Sequence, residues 1–524
     1  MRHTAALLAS VLACALGATA ARGTSRDLSA RAADGERLYL EGRLADGRPV
    51  EAVVLGDVPV TGTQLSCVTC HGRSGMGSVE GVRLAPPLRA PYLESPRRLK
   101  SRPRPPYTDA ALVRAIRDGV DAAGNRLDPL MPRYRLGPAE LRALVAYIRS
   151  LGGDFSPGAD LDQMHLATIL TPDADPAERA AMLDVLDAFI QARNRAAAAA
   201  RVRHPPDWPE YYGEWVLHVW ELQGPAAAWQ EQLDAHFRSQ PVFAVVSGLG
   251  RDEWHPIHRF CEAHRVPCLL PNLRTPPDAG ADYYSLYFSG GTVLEAHAIA
   301  ARLRDATAPQ RVLQIFQDDT GARAARALAD AVSAGGRDET RDIELADLHA
   351  YSIATLAREH DASAVVLWLD PDGLALLHDA PVAGEFAVFL SSTMLEGEVP
   401  AWLAGESAAA TLAHPYALPA ETRSRFPRVS AWLATRRVPP AAAAQRRIVD
   451  QTFFAVTMLG EGVMHLNKNF YRDYLLEVLD HSSGFETWSA SYSRLSFGPG
   501  QRYLAKGCHL LPSHGVGPPA WVVP

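Results

Sequence analysis

The chain is 524 residues long, 47% hydrophobic and 21% charged, which supplies roughly two to four packed domains and rules out global disorder. Six cysteines cannot staple a fold of this length, and beyond the leader no apolar run reaches the roughly 18 residues that cross a bilayer, so disulfide scaffolds and multi-span membrane proteins are excluded. The net charge of −7 is split, +6 over Gly23–Gly152 and −15 over Gly153–Pro524, and no nucleic-acid partner is expected.

Residues 1–21 read as a signal peptide. A basic start, Met1-Arg2-His3, precedes the apolar run AALLASVLACALGATA, and Ala18-Thr19-Ala20 offers a small-x-small cleavage site. Cys14 offers lipoprotein processing instead, but Leu12 directly before Ala13 fits that recognition poorly. The mature protein is expected in the periplasm, without a transmembrane segment, where disulfides are permitted.

Cys67-Val68-Thr69-Cys70-His71 is C-x-x-C-H, the spacing at which two thiols add across the haem vinyl groups and the next imidazole meets the iron. A thioredoxin-like pair would follow a strand and open a helix, whereas here Gly62, Gly72, Gly75 and Gly77 make the flanks turn-like. A structural zinc site would need two further ligands at matching spacing, and none lies nearby. One covalent haem c is therefore expected on Cys67 and Cys70. For the sixth iron position Met131 is the candidate, because Pro132 biases it towards an extended conformation on a loop. Met76 is only five residues from His71 and stays on the proximal side.

Around these residues, Asp34–Leu40 has helical character, Asp109–Gly119 carries an apolar face at Leu112, Val113 and Ile116, and Gly137-Pro138 opens a helix with Leu141, Leu144, Val145 and Ile148 on one stripe. With the CVTCH motif, the Met-Pro-Arg-Tyr loop and the closing LRALVAYIRSLGG helix, residues 30–152 resemble a class I mono-haem cytochrome c. The resemblance implies an all-α domain whose terminal helices pack across each other. It also implies His71 and Met131 as axial ligands, and electron transfer rather than turnover. The basic stretch from Arg97 to Arg104 reads as an inserted loop, solvated or docking an acidic partner.

Residues 153–163, opening on Gly153-Asp154-Phe155-Ser156-Pro157-Gly158, read as a linker. Beyond it, strands and helices alternate. Strands are expected at Met164–Leu170, Glu214–Glu221, Val242–Ser247, Pro267–Leu270, Arg311–Phe316, Ala364–Leu369 and Phe386–Leu390. Helices are expected at Pro176–Ala200, Pro225–Arg238, Asp252–Arg265, Thr292–Arg304 and Ala322–Ala334. Such alternation argues for parallel sheets covered by helices.

The order of these pieces resembles type I periplasmic solute-binding proteins of the branched-chain amino acid family. The resemblance spans about residues 164–515, leaving 516–524 as a tail, and is carried by Val245-Val246-Ser247-Gly248, by RVLQIFQDDTGARAARALADAVSAGG and by SRLSFGPGQR. It implies an α/β fold of two lobes closing on a small ligand, with Ser247, Gly248, Ser289, Gly290, Asp318 and Asp319 placed at the cleft. Each of these also suits an ordinary cap or turn. The loop Ser247-Gly248-Leu249-Gly250 is poorer in serine than the family's, which leaves an amino acid ligand in doubt.

His255, His258, Cys261 and His264 recur every three residues along one helix, which drifts around its axis and so suits polar surface better than a metal site. Cys261 and Cys268 are close enough in sequence to pair, which would leave Cys508 odd; Cys508-His509 with His514 is a weaker metal hint. No hydrolase motif stands out. The expectation is an exported haem c protein that carries electrons to or from a periplasmic redox partner. Its second domain is expected to bind a small molecule or dock that partner. Two alternatives stand beside it: a receptor of an ABC-type transport or sensing system with a haem appended, and peroxide or gas chemistry if the sixth iron position is open.

Overall fold

The computed structural model describes residues 32–80, 83–99, 102–203, 213–251, 253–280, 282–306, 310–334, 336, 338–347, 352–376, 386–395, 410–482, 489–498, 500–512 and 519–524. The leader with Cys14, Lys100, Asp252 and His514 lie outside them. Two compact units divide the chain, one ending at Phe155 and one running Ser156–Pro524.

The first unit runs α1 (residues 32–41), β1 (Glu51–Val54), β2 (Val58–Thr61), α2 (Val68–His71), β3 (Ser78–Glu80), β4 (Arg83–Ala85), α3 (Ala90–Leu93), β5 (Arg97–Leu99), β6 (Arg102–Arg104), α4 (Asp109–Asp118), β7 (Arg133–Tyr134) and α5 (Pro138–Ser150). Helix α4 starts where the Thr108 hydroxyl accepts the Ala111 N–H and stops at Gly119, left-handed at φ 65°. The stripes of α4 and α5 (Leu112, Ile116, Leu141, Leu144, Ile148) share one core with Leu38 and Tyr39 of α1. Helices α1 and α5 meet almost backbone to backbone. A Cβ on Gly35 would stand 2.1 Å from the Ala143 carbonyl oxygen, so only glycine allows the approach.

The expectation of an all-α unit is corrected here. Valine-rich β1 and β2 pair antiparallel and β7 joins the other edge of β1, giving a three-stranded sheet. Strands β3–β4 and β5–β6 form two further hairpins, so the basic stretch expected as a loop is a hairpin arm.

The second unit continues β8 (Gln163–Leu170), α6 (Pro176–Arg201), β9 (Glu214–Glu221), α7 (Trp229–Ser239), β10 (Ala244–Val246), α8 (His255–His264), β11 (Cys268–Leu269), β12 (Ser285–Ser289) and α9 (Thr292–Arg304). It proceeds through β13 (Arg311–Phe316), α10 (Asp319–Ser333), β14 (Glu339–Glu344), α11 (Ile353–Glu359), β15 (Ala364–Trp368), α12 (Pro371–Ala375), β16 (Ala387–Ser391) and β17 (Ala410–His414). Helices α13 (Pro419–Ala434), α14 (Arg446–His465) and α15 (Arg472–Asp480) precede the closing strands β18 (Tyr503–Ala505), β19 (Cys508–Pro512) and β20 (Ala520–Val522).

Two sheets result, in the orders β18-β12-β11-β10-β8-β9 and β14-β13-β15-β16-β17-β19-β20. The first is parallel throughout, while the second turns antiparallel only at β19 and β20. Within each, the first five strands in chain order wind identically, second-first-third-fourth-fifth. The switch point beside the first strand opens a crevice at the carboxyl ends. Helices α9 and α10 bury one face of the second sheet through Leu294, Ile299, Ala324 and Leu328, and α11 buries the other through Ile353 and Leu356. The chain passes between the lobes three times: after β12, after β17, and between β18 and β19.

From Ser156 on, the stretch expected as a linker is part of this unit. The Ser156 N–H donates to the Phe470 carbonyl at 2.8 Å, and the buried Arg472 guanidinium donates to the carbonyls of Pro157 (2.9 Å), Val242 (2.5 Å) and Phe243 (3.1 Å). The stretch expected as a tail carries β20, whose Trp521 ring lies 4.5 Å from that of His509.

Candidate functional site

Cys67 caps the single turn α2, so Cys67 and Cys70 stand one helical turn apart and His71 ends the turn. Neither cysteine is in a disulfide; Cys70 is exposed and Cys67 half-buried. Three glycines at positive φ, Gly72, Gly75 and Gly77, then fold the chain back. The Gly77 N–H donates to the His71 carbonyl at 2.8 Å, and a Cβ on Gly77 would stand 2.1 Å from the Ala85 carbonyl oxygen. This return places the Pro86 carbonyl 2.9 Å from His71 Nδ1.

A carbonyl only accepts, so Nδ1 carries the proton and Nε2 keeps its lone pair. His71 is 6% exposed, and burial lowers its pKa, which keeps the ring neutral. Two tyrosines brace the loop: Tyr39 donates to the Gly72 carbonyl at 2.7 Å, and Tyr134 donates to the Leu65 carbonyl at 2.5 Å, its hydroxyl 3.9 Å from Cys67 Sγ. Met131, on the loop between α4 and β7, is half-buried in the apolar cluster that also holds Cys67, Val68 and Leu65. Two cysteines on one turn and outside any disulfide, an imidazole whose far nitrogen is already engaged, and a thioether in the same cluster form a donor set that fits a covalent haem.

The cytochrome c family model matches residues 61–152. Residues 61–152 are a cytochrome c domain. In this cytochrome c domain the family match covers the Cys67–His71 turn, the Met131 loop and α5, while α1 and β1 lie ahead of it. None of the curated proteins matches the chain.

Similar solved structures include a branched-chain amino acid ABC transporter protein from Thermus thermophilus with bound valine, 10% identical, covering 69% of this chain and 96% of that one at a TM-score of 0.46. A leucine-binding protein from Thermotoga maritima is 10% identical, covering 68% and 97% at 0.42. A fatty acid ABC transporter substrate-binding protein from Thermomonospora curvata is 12% identical, covering 71% and 94% at 0.43.

In the second unit the residues expected at a cleft separate. Ser247, at φ 55°, is buried beside its switch point, its hydroxyl 3.3 Å from that of Thr452 and accepting from Asn272 Nδ2 at 3.0 Å. Gly248 is held at φ 123° against the Trp254 ring, where a Cβ would be 2.9 Å away. Asp318 is the N-cap of α10 and accepts the Gly321 N–H at 2.7 Å, while Asp319 is the exposed first residue of that helix. Gly290 packs on Leu294, and Ser289 accepts the Gly291 N–H at 3.1 Å. Ser289 alone of the six lines a narrow cleft, together with Pro271, Phe288, Gln451 and Tyr492.

The cleft wall is aromatic: Phe288 and Tyr492 stack at 5.4 Å, and Tyr416 lies 5.4 Å beyond. Next to it, the buried Glu295 carboxylate accepts from Ser391 Oγ, from the Thr393 N–H at 3.0 Å and from Thr393 Oγ1 at 2.8 Å. Thr393 Oγ1 is 3.3 Å from the Tyr416 hydroxyl, to which Arg447 donates at 2.8 Å. Burial pushes the Glu295 carboxyl up to about 8. The sequence reading missed this group: a glutamate inside a helix that is buried on most of its faces carries no local sign that its partners arrive from β16 and beyond.

The three-residue His/Cys series separates into unrelated contacts. His258 bonds Asp282 (2.8 Å) and the Tyr287 hydroxyl (2.7 Å), His264 bonds Asp234 (2.7 Å), and Cys261 is disulfide-bonded to Cys268. Among the described residues no group of three metal-ligating side chains converges. Cys508 is a buried free thiol.

Proposed function

We propose that the chain is an exported haem c protein that carries electrons in the periplasm, with a second unit that binds a small molecule or docks a redox partner. The carrying observation is His71 with Nδ1 engaged by Pro86, next to two cysteines one turn apart that are not joined in a disulfide. Cys67 and Cys70 would hold the haem covalently, and His71 and Met131 would be its axial ligands. The bound haem supplies a one-electron couple. The protein's own part is to keep the His71 ring buried, oriented and neutral, to brace its loop through Tyr39 and Tyr134, and to hold a thioether in the same apolar cluster as Cys67. A saturated iron suits electron transfer, whereas an open position suits peroxide or gas chemistry.

The ligand reading rests on the second unit alone. Two sheets wound in one order with three passages between them support small-molecule binding at the carboxyl ends of their strands, where Phe288, Ser289 and Tyr492 line a narrow cleft. This also supports the receptor reading. Optical redox titration tests the first part: a single one-electron transition with a low-spin spectrum in both states is expected, and a high-spin ferrous form that binds carbon monoxide at once would favour gas or peroxide chemistry. Genome neighbourhood tests the receptor reading, which requires a cognate permease.

A further inference from the structure

The loop that carries Met131 is clamped by one side chain two residues on. Arg133 donates through Nη2 to the carbonyls of Leu127 and Asp128, both at 3.3 Å, and through Nη1 to the Met131 carbonyl. The guanidinium lies flat against Gly119, where a Cβ would be 1.7 Å from Arg133 Nε, so the left-handed cap of α4 doubles as the seat of the clamp. The loop is otherwise tied by the Leu127 N–H to Gly119 O (2.8 Å), the Leu55 N–H to Pro129 O (2.9 Å) and the Met131 N–H to Asp128 O (3.0 Å). The backbone of Arg133 is itself fixed in β7, opposite Val53. The fork therefore ties the Met131 backbone to a sheet and to a helix end at once.

We propose that Arg133 is the positioning residue for the sixth iron ligand, its fork setting where the Met131 thioether can reach. The proposal rests on Met131 being that ligand. A thioether is a neutral, weakly held donor, so its bond to iron persists only while the backbone behind it is kept in place. A planar fork holds three carbonyls at once, whereas a lysine ammonium acts as a single flexible point.

The test uses the full-length haem-loaded protein and the variants Met131→Ala, Arg133→Ala and Arg133→Lys. The wild type should show the thioether–iron charge-transfer band and Met131→Ala should lose it; absence of the band from the wild type overturns the Met131 reading, and this one with it. Given the band, Arg133→Ala should keep its covalent haem yet lose much of the band and bind carbon monoxide roughly 10–100-fold faster. Arg133→Lys, with the charge but not the fork, should move the same way, and amide exchange at Leu130 and Met131 should quicken in both. If Arg133→Ala fails to fold, Arg133→Lys decides. Wild-type band, carbon monoxide rate and exchange in the folded variants would overturn the clamp.

Discussion

His71 Nδ1 and the Pro86 carbonyl oxygen are 2.9 Å apart. Fifteen residues separate them, and the intervening chain folds back through Gly72, Gly75 and Gly77 and the β3–β4 hairpin to bring them together. This bond orients the ring and fixes its tautomer before any metal arrives.

Met131→Ala should leave the covalent haem in place and remove the charge-transfer band of the ferric protein. It should also shift the iron towards high spin and admit carbon monoxide. Absorbance of the purified ferric and carbon monoxide forms measures both effects.

Arg472→Ala should destabilise the second unit by at least about 3 kcal/mol, because it strips donors from the buried carbonyls of Val242 and Phe243 and from Pro157. All ten tryptophans lie beyond Phe155, so urea unfolding followed by tryptophan fluorescence reports this unit. A midpoint unchanged from wild type would show that the clamp is dispensable.

Glu295 predicts a pH dependence. Its carboxyl is pushed from the ordinary 4.5 up to about 8 in the folded chain. Between these values the folded state keeps a proton that the unfolded state has lost, so stability falls as pH rises. The slope approaches about 1.4 kcal/mol per pH unit at most, and it vanishes above the folded pKa. Burial raises its neighbours Cys508 and Tyr492 as well, so both titrate above this window. Glu295→Gln should flatten the fall. Equal pH profiles for the two proteins in urea unfolding would remove Glu295 as its source.

Legibility followed local pattern. Strands β9 and β13 and helix α9 lie where alternation or helical periodicity places them, and C-x-x-C-H names its own chemistry through spacing. Helix α10 starts three residues earlier than its periodicity suggests, because Asp318 caps it rather than facing a ligand. Helix α14 had no readable stripe, being buried almost all round from Ile448 to Leu459. The three-residue strands of the cytochrome c domain are too short to alternate. Arg472 and Glu295 act on partners roughly a hundred or more residues away, which no window along the chain contains.

The cleft of the second unit predicts a thermal shift. A small molecule present at about 100 times its dissociation constant should add about 2.7 kcal/mol of stability. Gln451→Ala and Tyr492→Ala should cut that gain by removing a cleft hydrogen-bonding group and the ring stacked on Phe288. A ligand whose shift survives both changes binds elsewhere.

Intact mass under denaturing conditions decides whether the exported chain carries a covalent haem. Protein purified from a host competent for haem attachment should weigh as the chain cut after Ala20 or Ala21 plus one haem. Cys67→Ala/Cys70→Ala should weigh as the haem-free chain. A wild-type mass without haem, from the same host, would mean that Cys67 and Cys70 do not hold one.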